Sequence, residues 1–280
     1  MLHYKAMITQ INCKMKPITP TIARILLLAW MANGCTSTDK PKKSFTQYDL
    51  LTPETFELPD NLLEVSGITF SPSPAINTFF VVQDEEGKVY QQGWQEAKQS
   101  HTQFADKGDF EDLTIVNDQV IVLKSNGSLY TFPTDDLSQQ HTDRVKEWKK
   151  PLPKGEYEGM YGDVQSGKIY VLCKECEADD SRKSVSGYIL DLQSEDRIEN
   201  FKIDISPIEA LAGKMDKPFK PSALARNPLD HNWYILSSVN KLLVVTDSTW
   251  QVKEVVPLSK QIFLQPEGMI FDNVGNLYIS

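Results

Sequence analysis

Histidine is scarce in this chain, with four residues in 280, and His101, His141 and His231 each lie in polar, loop-like surroundings that read as exposed. No glycine-rich phosphate loop, no Gly-x-Ser-x-Gly elbow and no His-Glu-x-x-His pair occurs, which removes the commonest nucleotide, serine-hydrolase and zinc-protease signatures. Positive charge is also short: 29 Lys and Arg stand against 38 Asp and Glu, a net charge of −9. Nucleic acid and anionic lipid surfaces demand basic patches, so neither is expected as a partner. Cysteine is limited to four residues. Cys173 and Cys176 form a lone CxxC without the two further ligands a zinc site needs. They read as one strand and one turn cysteine, or as a local disulfide in an oxidising compartment.

Long apolar runs are missing too. The longest, Ile25 to Ala32, is far short of the roughly 20 residues that span a bilayer, but it has the length of a signal-peptide core. Residues 1–35 hold Lys5, Lys14, Lys16 and Arg24 and no acid, and they end at Gly34-Cys35. This resembles a bacterial lipoprotein signal with Cys35 as the lipidated residue, although Ala32 and Asn33 depart from its usual pattern. Met15 is an alternative start. Residues 36–44 read as a tether, and 45–280 as one folded domain in the cell envelope, on the periplasmic face or at the outer membrane. Without the four basic residues of the leader the net charge becomes −13, which suits cations or simple solubility.

What the chain does have is a phrase repeated five times: Ser66-Gly67-Ile68, Glu111-Asp112-Leu113, Glu158-Gly159-Met160, Ser222-Ala223-Leu224 and Glu267-Gly268-Met269. The first residues are 45, 47, 64 and 45 positions apart. An apolar run follows each phrase, such as Phe79 to Val82, Val120 to Leu123 or Ile169 to Leu172. Strand-like units at this period predict an all-β fold, a five-bladed β-propeller. Turn residues separate an inner, a second and a third strand in each unit, as at Ser125-Asn126-Gly127-Ser128, Asp84 to Gly87 and Asn240. The longer third spacing leaves room for a helical turn near 207–212. Residues 134–150 read as a polar link. The chain stops within the second strand of unit five, so the last blade is expected to be incomplete or the sequence truncated; residues 45–58 are available as an outer strand.

Leu63 to Ile68, Val82 to Glu85, Gly108 to Asp112, Phe219 to Ala223, Ile235 to Val245 and Gln265 to Met269 together resemble the SdiA-regulated protein family, distant relatives of NHL-repeat propellers. The resemblance runs from about Leu58 to Ser280 and implies a five-bladed propeller that binds calcium, with no established activity.

The residues themselves point the same way. Glu111, Glu158 and Glu267 hold one place in three units, with Ser66 and Ser222 as possible additional lining in the others. Carboxylates converging on a narrow axis repel each other, and a hard cation such as calcium relieves that repulsion. Alternatively the glutamates cap neighbouring backbone amides, face a wide solvent mouth, or pair with Lys124 and Lys241. Asp84, Asp109 and Asp112 read as solvated turn acids. The expected function is a lipid-anchored binding or scaffold module for a protein or glycan, with no catalytic residue assigned. A metal-dependent lactonase or esterase is the alternative, for which Asn240 and Asp84 are the only candidate further ligands.

Overall fold

The computed structural model describes residues 6–13, 47–71, 78–94, 96, 99–194 and 198–280. Two strands come from the N-terminal side, β1 (Met7–Ile11) and β2 (Glu54–Glu57). Three complete antiparallel blades follow. They are β3 to β6 (Val65–Phe70, Thr78–Gln83, Lys88–Gly93, Gln99–Gln103), β7 to β10 (Phe110–Val116, Gln119–Lys124, Leu129–Pro133, Lys146–Trp148) and β11 to β14 (Gly155–Gly162, Lys168–Cys176, Ser184–Asp191, Ile198–Asp204). The short helix α1 (Ser206–Ala212) fills the long spacing, with Pro207 in its first turn. Blade four is β15 to β18 (Ala223–Arg226, Trp233–Ser237, Leu242–Thr246, Val252–Pro257). The C-terminal strands β19 (Met269–Phe271) and β20 (Leu277–Ile279) complete the set. The five inner strands β3, β7, β11, β15 and β19 contact one another in that order, and β19 returns to β3. This is a closed five-bladed β-propeller.

The continuous apolar runs of the second strands follow from this stacking. Each blade is sandwiched between two others, so both faces of its middle strands are buried. In β4, Phe79 and Val81 enter the core against blade five, while Phe80 and Val82 enter the core against blade two. In β8, Val120 and Val122 face blade one, whereas Ile121 and Leu123 face blade three.

Each blade has four strands rather than three. The outermost ones are polar and largely exposed, as in Gln99–Gln103 and Lys146–Trp148, so they carry no burial signal in the sequence. The stretch 134–150, read as a link, thus contains a strand.

Blade five is ordered β19-β20-β1-β2. The chain's C-terminal part supplies two strands, as the sequence indicated, and the sheet is completed from the other end. Glu54–Glu57 takes the outer place anticipated for 45–58. The third place belongs to Met7–Ile11, within the stretch read as a leader: Ile11 pairs with Leu277, and Ile8 with Phe56. Ile8 and Ile11 are buried in the cores on opposite sides of the blade. Cys35 and the tether lie outside the described residues. Among the described residues no helix is long and apolar enough to cross a membrane.

Candidate functional site

The repeated phrase is a β-bulge. In β3 the pairing jumps from Val65–Gln83 to Gly67–Val82, which leaves Ser66 as the extra residue. In β7 it jumps from Phe110–Lys124 to Asp112–Leu123, which leaves Glu111. In β11 it jumps from Tyr157–Cys173 to Met160–Val171, across Glu158 and Gly159. The last two phrases do the same: Ser222 donates its N–H to Leu236 while Ala223 also faces Leu236, and Glu267 and Gly268 both bond Ser280. A bulge turns a side chain out of the regular alternation. Here it takes the first residue of every phrase out of the strand register at the start of an inner strand.

The second position of the phrase is small for a packing reason. A Cβ on Gly67 would meet the Cα of Asp112 at 2.7 Å, and one on Gly159 would meet backbone atoms of Ala223 and Leu224 at 3.0 Å. Adjacent inner strands approach too closely there for a side chain. Asp112 is the exception, and it is not the solvated turn acid that the sequence suggested. It is buried, and its carboxylate accepts the backbone N–H of Leu113 at 2.8 Å and of Met160, in the next blade, at 2.7 Å. Burial pushes its carboxyl well above the usual range against those two bonds.

The three glutamates share one electrostatic environment. Burial first, then the like charges of Glu158 and Asp109, push the Glu111 carboxyl up to about 9. Burial also pushes Glu158 up to about 7, opposed by Lys174 and reinforced by Glu267. Glu267 is raised by burial and by Asp84, against a 2.9 Å hydrogen bond from Gln265. Asp84 is itself raised by burial, with Glu85 and Asp109 as like-charged neighbours. Ser66 is 5 % exposed, and its hydroxyl takes no partner among the described residues. Ser222 plays another part, since its hydroxyl donates to Pro266 O at 3.3 Å and accepts from Ser238 N at 3.1 Å. A cavity of 360 Å³ opens beside Glu267, between blades five and one, with Glu64, Pro266 and Ser280 in its wall.

Their counter-ion is Lys174, which sequence reasoning missed. Its Nζ pairs with Glu158 and, at 3.0 Å, with Glu156. Burial alone would lower its ammonium, but the two ion pairs outweigh that and hold it charged. Lys174 is the extra residue of a further bulge: Cys173 faces Tyr157 and Glu175 faces Glu156. The flanking Cys173 and Cys176 are joined as a disulfide across it, the second of the two readings open for that pair. Of the two lysines expected as neutralisers, Lys124 sits over the Phe110 ring at 5.7 Å. Lys241 donates to Leu264 O at 2.6 Å, close enough to Glu267 for its charge to be felt.

The donor set of hard carboxylate oxygens fits a hard cation in kind, and the raised carboxyls signal a shortage of positive charge. Glu111, Glu158 and Glu267 do not, however, bring their oxygens within 4.8 Å of one another. Among the described residues the only such group is Cys173, Cys176 and Asp179, two of which are tied up in the disulfide. Asn240, a candidate ligand for the hydrolase alternative, is committed: it accepts from Lys220 N and Ser237 Oγ and donates to Lys217 O.

No family model matches the chain, and no curated protein matches it in sequence. The solved structures it is similar to are propellers. A chain of the nidogen–laminin complex superposes with a TM-score of 0.54 at 9% identity, covering 84% of this chain and 78% of that one. Regucalcin, a calcium-binding protein from Agrobacterium tumefaciens, gives 0.46 at 15% identity over 78% and 67%. Virginiamycin B lyase from Staphylococcus aureus gives 0.45 at 14% over 77% and 62%, so this chain spans less than two thirds of the lyase. At these identities the likeness shows the fold alone.

Proposed function

We propose that this protein is a cation-binding propeller of the bacterial cell envelope, a binding or scaffold module of the SdiA-regulated kind, with calcium held by Glu111, Glu158 and Glu267. One observation carries the reading: three carboxylates set by bulges at equivalent places around the ring are raised by burial first and then by neighbouring acids, with Lys174 as the cation paired to one of them. A bound divalent cation supplies the missing positive charge and keeps the carboxylates ionised. Among the described residues the side chains of Glu111 and Glu267 have no ion pair and the Ser66 hydroxyl has no hydrogen-bond partner. The rigid ring around them suits the display of loops to a protein or glycan.

Anchoring through a lipid at Cys35 belongs to the same proposal. Cleavage ahead of Cys35 would remove Met7–Ile11, so an anchored form must fill the place beside β20 with another strand. The intact mass of protein extracted from membranes distinguishes the two forms.

Calcium titration by calorimetry, with thermal melts with and without chelator, tests the site. Saturable binding that raises the melting temperature is expected, and it should vanish in Glu111→Gln/Glu158→Gln/Glu267→Gln. Binding that persists in a folded triple variant would place the cation elsewhere. Its absence from the wild type would leave the glutamates as strand-start acids neutralised by protons and Lys174.

A further inference from the structure

The other part of the axial channel is built differently. A chamber of 480 Å³ is lined by three consecutive residues from every inner strand, from Ile68 in β3 round to Phe271 in β19. That volume lies within the range of small-molecule sites. None of the phrase's first residues takes part in its wall. Most of the wall is apolar, with Phe70, Ile115, Ile270 and the exposed Val164 among its residues.

Eight polar side chains interrupt it, Asp272 among them, and four of the eight bear on what the chamber could hold. Thr69 and Thr114 are 6 % and 8 % exposed, and neither hydroxyl has a hydrogen-bond partner among the described residues. Neither is a sealed, unsatisfied group: each faces the open space of the chamber, where water or an entering molecule can bond it. Tyr161 packs edge-on against Trp233, and its hydroxyl is likewise uncommitted. Arg226 supplies the charge.

The turn after β15 sets Arg226 in place. Asn227 Oδ1 accepts the N–H of Leu229, and Asn227 O accepts that of His231, whose φ of 59° brings its carbonyl round to the Arg226 Nε at 3.3 Å. The guanidinium carbon stands 5.2 Å from the Trp233 ring centroid. Its terminal nitrogens take no partner among the described residues. The acids nearby are already used. Asp272 accepts from Val274 N, Asn276 N, Asn276 Nδ2 and Tyr278 Oη, and Asp163 accepts from Gln165 N and Ser166 Oγ.

We infer that this chamber is a second ligand site, which takes a small monocarboxylate with an apolar body. The carboxylate meets the free face of the Arg226 guanidinium, whose paired N–H groups match its two oxygens. The Tyr161 hydroxyl donates beside it, Thr69 and Thr114 serve polar atoms deeper in, and the apolar wall covers the body. One cation without further positive charge suits a monoanion better than a phosphate.

Naphthalene-2-carboxylate is a suitable probe, titrated by calorimetry and followed by ligand-detected NMR in the presence of chelator. The chelator keeps the measurement independent of the cation reading. One saturable site is expected, with naphthalene-2-methanol bound at least about tenfold more weakly, since a charged hydrogen bond is lost. Arg226→Met should weaken the carboxylate by a similar factor, and Tyr161→Phe, which keeps the ring against Trp233, by about threefold. The inference is overturned if cooperatively melting wild type shows no saturable binding. It is equally overturned if the neutral probe binds as well as the acid, or if the folded variants bind unchanged. Should Arg226→Met fail to fold, Tyr161→Phe and the neutral probe decide the matter.

Discussion

The acidic mouth and the chamber are made from the same five strands, yet they are chemical opposites. At the mouth each strand carries a bulge, and a first residue that is Glu or Ser leaves the regular alternation. A few residues on, the alternation resumes and sends Ile68, Leu113, Met160, Leu224 and Met269 into the cores between blades. The mouth gathers carboxylates that want positive charge, whereas the chamber keeps its acids internally bonded and leaves one arginine free. A single repeated phrase thus separates a charged site from an apolar one along one axis. The difference rests on register, because without the bulge the first residue would fall into the alternation that fills the cores.

The severest way to break that contrast is to remove the seam common to both regions. Asp112→Ala leaves two buried N–H groups unpaired, in adjacent blades, at a cost of about 3 kcal/mol or more. Chemical denaturation should show the loss, with calcium and carboxylate binding weakened together. If one site kept full affinity in a destabilised variant, the ring would not be transmitting the damage evenly.

The mouth alone should respond to pH. Glu111 and Glu158 stand at about 9 and about 7 in the folded chain against an ordinary 4.5, so between those limits the folded state holds more protons than the unfolded one. Stability contributed by these groups is therefore complete at low pH and is lost as pH rises through the folded values. In chelator the melting temperature should fall from about pH 5 to pH 9, and calcium should flatten the slope. The triple glutamine variant should lose most of the slope and keep only the part that Asp112 and Asp84, both raised by burial, contribute. A slope that survives undiminished in that variant would assign it to other groups, Asp112 and Asp84 first among them.

The legible part of this molecule was whatever its stacking repeats. Five phrases and five apolar runs sufficed for the ring, because a blade buried on both faces writes unbroken runs into its middle strands. The placement of Glu111, Glu158 and Glu267 was legible for the same reason. Asp112 misled because it occupies a slot that glycine or alanine fills elsewhere, and only the distance to Met160 N reveals that its carboxylate bonds across to the next inner strand. Lys174 was hidden by a bulge in a strand whose CxxC looks like a turn. Met7–Ile11 has too few residues, and too leader-like a neighbourhood, to announce itself as a strand; its role depends on pairing partners some 270 residues away.

Lys174 gives the smallest expected effect and the sharpest comparison. Its side chain is 21% exposed and that of Glu158 16%, so the pair is partly screened. Lys174→Met removes the ammonium, but Glu158 does not stay charged and unpaired. A carboxyl already at about 7 takes up a proton once its cation is gone, which limits the penalty to about 1 kcal/mol. The same change removes the tethered competitor from Glu158 and leaves it free to join Glu111 and Glu267 around a diffusible ion. Calcium should accordingly raise the melting temperature of the variant more than that of the wild type, while naphthalene-2-carboxylate binding stays the same. Equal calcium stabilisation of both proteins would mean that Lys174 and the cation never contend for Glu158, and that the mouth divides into two separate charge clusters.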